Sequence, residues 1–261
     1  MNKVNNIIKK IEENAPVYLK EDFDNVGLMV GDRNKEVKKI LLALDCTMKV
    51  VEEAINKDID LIITHHPLIF RKPSNITTDT LQGKKIIKLI KNNISLYSCH
   101  TNLDSAECGL NNTIVKLLGF DNNKILEVNQ KDCNAGLGRI FKLDETKKLQ
   151  WIIDIVKNKL KIENLRVVKG NDEINKIAII NGSGQDFIGK AVALGADCII
   201  TGDTTYHFAS DYKEMGISII DAGHFSTEWI VFLKVMRDIL KEVEGIEIVT
   251  SQAVEDPYEF Y

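Results

Sequence analysis

The sequence predicts an α/β protein made of two similar halves, related by a pseudo-twofold duplication. Two observations predict it. Short apolar runs alternate with amphipathic segments, and that order recurs in the second half of the chain. Residues 5–13 carry apolar residues at helical spacing and read as a short amphipathic helix. A turn-rich segment follows over 21–32. Residues 40–44 form a short apolar run without polar alternation, the mark of a strand buried on both faces. Thr47 or Asp45 stands where a helix over 49–57 needs its cap. Residues 61–64 read as a second buried strand, ending at His65-His66-Pro67. A helix over 81–92 and a strand over 94–98 come next, and that strand runs into Cys99-His100-Thr101-Asn102-Leu103-Asp104. Strands alternating with helices indicate a parallel sheet.

After an amphipathic helix over 147–160, the order repeats. Strands are expected at 177–181, 198–201 and 217–220, with a helix over 186–194. A loop and short helix precede the last strand, and a long helix over 228–243 follows it. At an offset of 137, the difference between Ile40 and Ile177, Ala54 meets Ala191, Asp60 meets Asp197, and Ile62-Ile63-Thr64 meets Ile199-Ile200-Thr201. Further on, at shorter offsets of 123 and 124, Ile94-Ser95 meets Ile217-Ser218 and His100 meets His224. Each of these histidines has a carboxylate four residues later, Asp104 and Glu228. The halves are placed at residues 1–125 and 126–261, with a ligand site expected between them, because open α/β sheets bind ligands at the carboxyl ends of their strands.

Composition narrows the class. The 261 residues are 44% hydrophobic and 28% charged, enough apolar material for a sizeable core and too much for a disordered chain. The 34 basic and 38 acidic residues leave a net charge of -4, which offers nothing to nucleic acid. No apolar run reaches membrane-spanning length, and residues 1–13 lack the apolar stretch of a signal peptide, so a cytoplasmic location is expected. Five scattered cysteines without C-x-x-C fit reduced thiols.

The five histidines, His65, His66, His100, His207 and His224, all fall at strand ends or in the loops nearby, which predicts one pocket. Imidazole nitrogen and carboxylate oxygen are the usual ligands of Zn, Fe, Mn and related divalent ions. His224 and Glu228, four residues apart, face the same way if the last helix has begun by then. His65 and His66 can splay in the turn before Pro67, each reaching a different ion. Asp104 can bridge two ions or cap a helix. A surplus over the four ligands of one tetrahedral site favours a pair of ions.

Other segments carry weaker signals. Asp24-Asn25-Val26-Gly27 reads first as a tight turn. Gly136-x-Gly138-Arg139 lacks the third glycine of a dinucleotide fingerprint, and Arg139 reads as a surface residue, with phosphate binding as the alternative. Asn181-Gly182-Ser183-Gly184 is either a turn or a set of anion-binding amides. No G-x-S-x-G or related nucleophile motif is present.

Asp24-Asn-Val-Gly-Leu-Met-Val-Gly31, Asp60-Leu-Ile-Ile-Thr-His-His-Pro67, His100-Thr-Asn-Leu-Asp104, Thr201-Gly-Asp with Tyr206-His207, and Gly223-His224 with Thr227-Glu228 occur in this order. Together they resemble the Nif-three-like dinuclear metal proteins, known as GTP cyclohydrolase I type 2 homologues, from about residue 3 to residue 250. The resemblance implies two α/β halves, a two-metal centre at their interface and a toroidal homohexamer. It implies metal ligands at His65, His66, Asp104, His224 and Glu228, with His100 and His207 lining the same site as candidates for proton transfer. The short stretch between the halves implies the form without an inserted domain. Position 203 is Asp where many members have Glu, still an acceptor. The implied activity is opening of the GTP imidazole ring, giving dihydroneopterin triphosphate and formate. A non-enzymatic metal-binding scaffold or regulator and a phosphoesterase remain as alternatives.

Overall fold

The computed structural model describes residues 2–260. In chain order the first elements are β1 (Asn2–Lys3), α1 (Val4–Asn14), β2 (Gly27–Val30), β3 (Glu36–Val37), β4 (Lys39–Ala43), α2 (Met48–Asn56), β5 (Leu61–Thr64), α3 (Leu81–Lys91), β6 (Ser95–Ser98), α4 (Thr101–Ser105) and α5 (Leu110–Leu118). They are followed by β7 (Lys124–Asn129), β8 (Asp132–Lys148), α6 (Leu149–Leu160), β9 (Arg166–Val168), β10 (Glu173–Ser183), α7 (Ile188–Ala193), β11 (Cys198–Gly202), α8 (Tyr206–Glu214), β12 (Ser218–Asp221), α9 (His224–Leu240) and β13 (Glu247–Thr250). The chain divides into two compact units. The first holds the residues up to Ala106 together with Phe232–Glu255. The second holds Glu107–Val231 and the residues from Asp256 on.

In the first unit the sheet order is β13-β4-β5-β6-β2. β4, β5 and β6 are parallel, β13 joins β4 in parallel, and β2 closes the far edge antiparallel. Ile40, Leu41, Leu42 and Ala43 are all fully buried, which is why their run shows no alternation. Val50, Val51 and Ala54 of α2 and Ile86 and Leu89 of α3 cover one face, packing with Leu41, Ile62 and Leu96. Each such valine, leucine or isoleucine contributes roughly 1.5–3 kcal/mol by burial. Thr47 caps α2 by accepting from the Val50 amide, and Thr80 caps α3 from the Gly83 amide.

In the second unit the order is β7-β8-β10-β11-β12-β9. β10, β11 and β12 are parallel, and β8 and β9 flank them antiparallel. Ala178, Ile199 and Ile219 pack with Ile188 and Ala191 of α7 and with Ala196.

The duplication holds at the level of single hydrogen bonds. Asp60 accepts the Lys38 and Lys39 amides at 2.8 and 3.1 Å, and Asp197 accepts the equivalent Asn175 and Lys176 amides at 3.0 and 3.1 Å. Ser95 and Ser218 each donate their amide to that aspartate's own carbonyl, both at 3.0 Å. In each unit one carboxylate anchors the start of the first parallel strand of its trio.

Several elements differ from expectation. Residues 124–148 form the antiparallel pair β7–β8, and 247–250 form β13; neither shows a clear two-residue alternation in sequence. The last helix begins at His224, four residues before its expected start, and ends at Leu240. Among the described residues no helix is long and apolar enough to cross a membrane.

Candidate metal centre

In the first unit the site grows from the carboxyl ends of β5 and β6. The Cys99 amide donates to Thr64 O at 3.0 Å, and the Thr64 hydroxyl donates to His66 O at 2.9 Å. These bonds hold the two strand ends side by side. His65 is fully buried, and its Nδ1 lies 2.9 Å from Cys99 O. A carbonyl only accepts, so Nδ1 carries the proton and Nε2 is the lone-pair nitrogen. Asp45 Oδ1 stands 2.9 Å from Nδ1 of His66, and Asp24 Oδ1 stands 2.9 Å from Nδ1 of His100. Ionised carboxylates fix these two rings in the same sense. The ring centroids of His65, His66 and His100 are 5.0–5.5 Å apart, and one ligating nitrogen from each lies within 4.8 Å of the others. Asp104, buried on α4, places Oδ1 3.7 Å from His65 Nε2. The α4 turn that carries it is closed by the Leu103 and Asp104 amides on His100 O.

Asp24 is only 5% exposed. Burial alone would raise its pKa. The hydrogen bond and charge of His100, with the amide and hydroxyl of Thr101, instead hold it at about 2. Segment 24–27 is therefore more than a turn, since its aspartate orients a site histidine.

In the second unit the chemistry sits at the ends of β10, β11 and β12. His224 opens α9, with Nδ1 2.7 Å from Asp203 Oδ2 and Nε2 3.0 Å from Glu228 Oε2. Glu228 is buried and lies against Gly182. A Cβ at Gly182 would come within 2.2 Å of Glu228 Oε1, and its φ of +61° disfavours any side chain. Thr227 locks the turn by accepting the Gly182 amide and donating back to the helix start. Asp221, buried, accepts the amide and hydroxyl of Thr204, the Gly223 amide and the Arg166 guanidinium. These bonds fix both loops that carry Asp203 and His224.

The amides of 181–184 do not form an anion nest. Asn181, Gly182 and Gly184 donate to Asn111, Thr227 and Thr201. His207 lies exposed in the first turn of α8, its ring 5.5 Å from that of Tyr206, and that ring makes no hydrogen bond among the described residues. Arg139, expected on the surface, is 2% exposed. β8 pairs with β10 at this position, and the arginine turns back onto its own strand.

The site residues thus fall into His65, His66, His100 and Asp104 in the first unit and His224 with Glu228 in the second. The sequence suggests a turn near the pocket for Asp24 and a helix cap for Asp45, and assigns neither of them the orientation of a histidine. Their signal was an acidic residue facing a strand-end histidine, visible only once the loops are placed. Each of the four histidines has Nδ1 occupied by an acceptor, which is how proteins present Nε2 to a metal. The donor set of imidazole nitrogen and carboxylate oxygen suits a transition-metal ion.

The fold and this donor set define an α/β protein whose first unit carries a cluster of three histidines that could hold a metal ion. The family profile described as Duf34/NIF3 (NGG1p interacting factor 3) matches residues 2–257, and the chain belongs to that family. A "GTP cyclohydrolase 1 type 2 homolog" from Clostridium perfringens is 56% identical over 99% of both chains. A Staphylococcus aureus hypothetical protein superposes with a TM-score of 0.89 at 31% identity, covering 99% of both chains. A Bacillus cereus protein related to NIF3 superposes with a TM-score of 0.88 at 26% identity, covering 100% of this chain and 99% of that one.

Proposed function

We propose that the chain is a metal-dependent hydrolase of a purine nucleotide, GTP cyclohydrolase-like, converting GTP to dihydroneopterin triphosphate and formate. The observation that carries the reading is the common orientation of four strand-end histidines, each with Nδ1 held by a carbonyl or an aspartate. The proposed metal ligands are His65, His66, Asp104, His224 and Glu228, holding two divalent ions of the Zn, Fe or Mn type. Bound there, such ions would supply Lewis acidity and acidify a water near neutral pH. His100, oriented by Asp24, would take up and return a proton at Nε2. His207, exposed on α8, is the second candidate for that role. Phe70 stands 6.4 Å from the His100 ring and 6.3 Å from Phe23, and both phenylalanines are exposed. They offer a surface on which a purine would stack. The name of the Clostridium perfringens relative points the same way.

The test is metal analysis of the purified chain followed by incubation with GTP, with formate and the pterin chromophore as readouts. About two ions per chain and formate release dependent on His100 are expected. Bound metal with no turnover of GTP or other nucleotides would sink the hydrolase reading and leave a metal-binding scaffold. The implied homohexamer is checked by light scattering of the same sample.

A further inference from the structure

The second unit contains a cavity of about 640 Å³ that shares no residue with the candidate metal centre. Small-molecule sites commonly measure about 300–1,000 Å³. Arg139 lines it, buried to 2% exposure. Its Nη1 donates to the carbonyls of Gly136 and Gly138, both at 2.7 Å. Gly136 lets the strand pass close to its neighbour, since a Cβ there would lie 2.0 Å from Glu127 O. The two carbonyls orient the guanidinium but carry no formal charge to neutralise it. Among the described residues no carboxylate comes within ion-pair distance of it. A buried cation without a direct ion pair is costly, and Glu107, which acts on it only through space, offsets part of that cost. Burial pulls the guanidinium pKa down to about 10 against the opposing charge of Glu107.

Lys116 and Lys124 line the same cavity, exposed and without ion pairs among the described residues. Asn112, Asn123 and Asn134 add amide groups. Against these three cations stand two carboxylates, Glu107 and Asp121, leaving one net positive charge.

We propose that this cavity is a second ligand site, taking a small polar molecule with a single oxyanion group, a carboxylate or a phosphate monoester. The oxyanion would pair with the N–H groups of Arg139 that the two carbonyls leave over, since the planar fork of a guanidinium matches such groups. The asparagine amides would hold the polar remainder. Two wall carboxylates disfavour a polyphosphate, so this ligand differs in class from the proposed nucleotide substrate.

The test is calorimetric titration of the full chain with inorganic phosphate and, separately, with acetate. It is run on the wild type, Arg139→Lys, Arg139→Gln, the Lys116→Gln/Lys124→Gln double variant and His66→Ala. Millimolar or tighter binding of at least one anion is expected. Arg139→Lys should weaken it about tenfold and Arg139→Gln should abolish it, consistent with a lost charge-assisted bond. The double variant, altered only at exposed positions, should weaken binding without affecting folding, and His66→Ala should leave it unchanged. Which anion binds separates the carboxylate from the phosphate source. Equal affinity in wild type and the double variant, loss of binding in His66→Ala, or no binding of either anion at about 10 mM would overturn the proposal.

Discussion

The two units share an anchor and differ in what they build on it. Asp60 and Asp197 hold equivalent strand starts by equivalent amides, so the parallel trios are alike. At the opposite ends of those strands the likeness stops. The first unit gathers three imidazoles and Asp104, and its most buried histidine, His65, is oriented by a backbone carbonyl. The second offers one histidine and one glutamate on the first turns of a single helix, the histidine oriented by the half-exposed Asp203, much as the exposed Asp45 orients His66 in the first unit. A main-chain acceptor or a buried aspartate with several donors cannot drift. An exposed aspartate can reorient. The duplicated frame fixes where ligands arise, and the loops decide how rigidly each is held.

This contrast can be broken at its tightest point first. Gly182→Ala puts a methyl group against Glu228 at a left-handed backbone position. Chemical denaturation should show a loss of about 1–3 kcal/mol, and metal affinity should fall with it. Unchanged stability and affinity would mean that the second unit is as adjustable at Glu228 as at Asp203. Next, Asp24→Asn removes the carboxylate that orients His100. GTP turnover should fall about 10–100-fold, because His100 is the proposed proton-transfer residue. Asp203→Asn should fall by less, at the lower end of that range, because solvent can replace an exposed acceptor. A larger loss at Asp203 than at Asp24 would invert the comparison.

The smallest effect concerns the shared anchor. Burial opposes ionisation of Asp60, but the Lys38 and Lys39 amides and Lys35 hold its pKa below the ordinary 3.8. A depressed folded pKa means that its stabilisation is full above about pH 4 and is lost as pH falls through the folded value. Asp60→Asn should therefore cost about 1 kcal/mol at neutral pH. The gap from wild type should close on acidification below pH 4, as followed by thermal melts. A constant gap down to pH 2 would remove the ionised carboxylate from the account.

Much of this arrangement was legible in residues. Continuous apolar runs such as Ile40–Ala43 mark strands buried on both faces, and the strand of residues 61–64 was placed without error. The offset linking Asp60 to Asp197 was visible too, although their role as strand anchors was not. β13 escaped notice because Glu247–Thr250 is a half-exposed edge strand with weak patterning. β8 was missed for a related reason: one strand carries exposed ends around a buried centre, with glycines interrupting its pattern. Asp24 and Asp45 looked like turn and cap residues because only the folded loops bring them to His100 and His66.

The last strand also sets an order of events during synthesis. β13 pairs with β4, and Glu53 of α2 then takes the Gln252 and Ala253 amides and the Ser251 hydroxyl. More than two hundred residues separate the two strands. At about 5–20 residues per second, β4 waits on the order of ten to forty seconds beside the ribosome for its neighbour. Throughout that interval it is an open edge, the kind of surface that recruits other strands. Lys35, Lys38 and Lys39 at its start place positive charge there, a guard suited to an edge that must stay unpaired until β13 arrives.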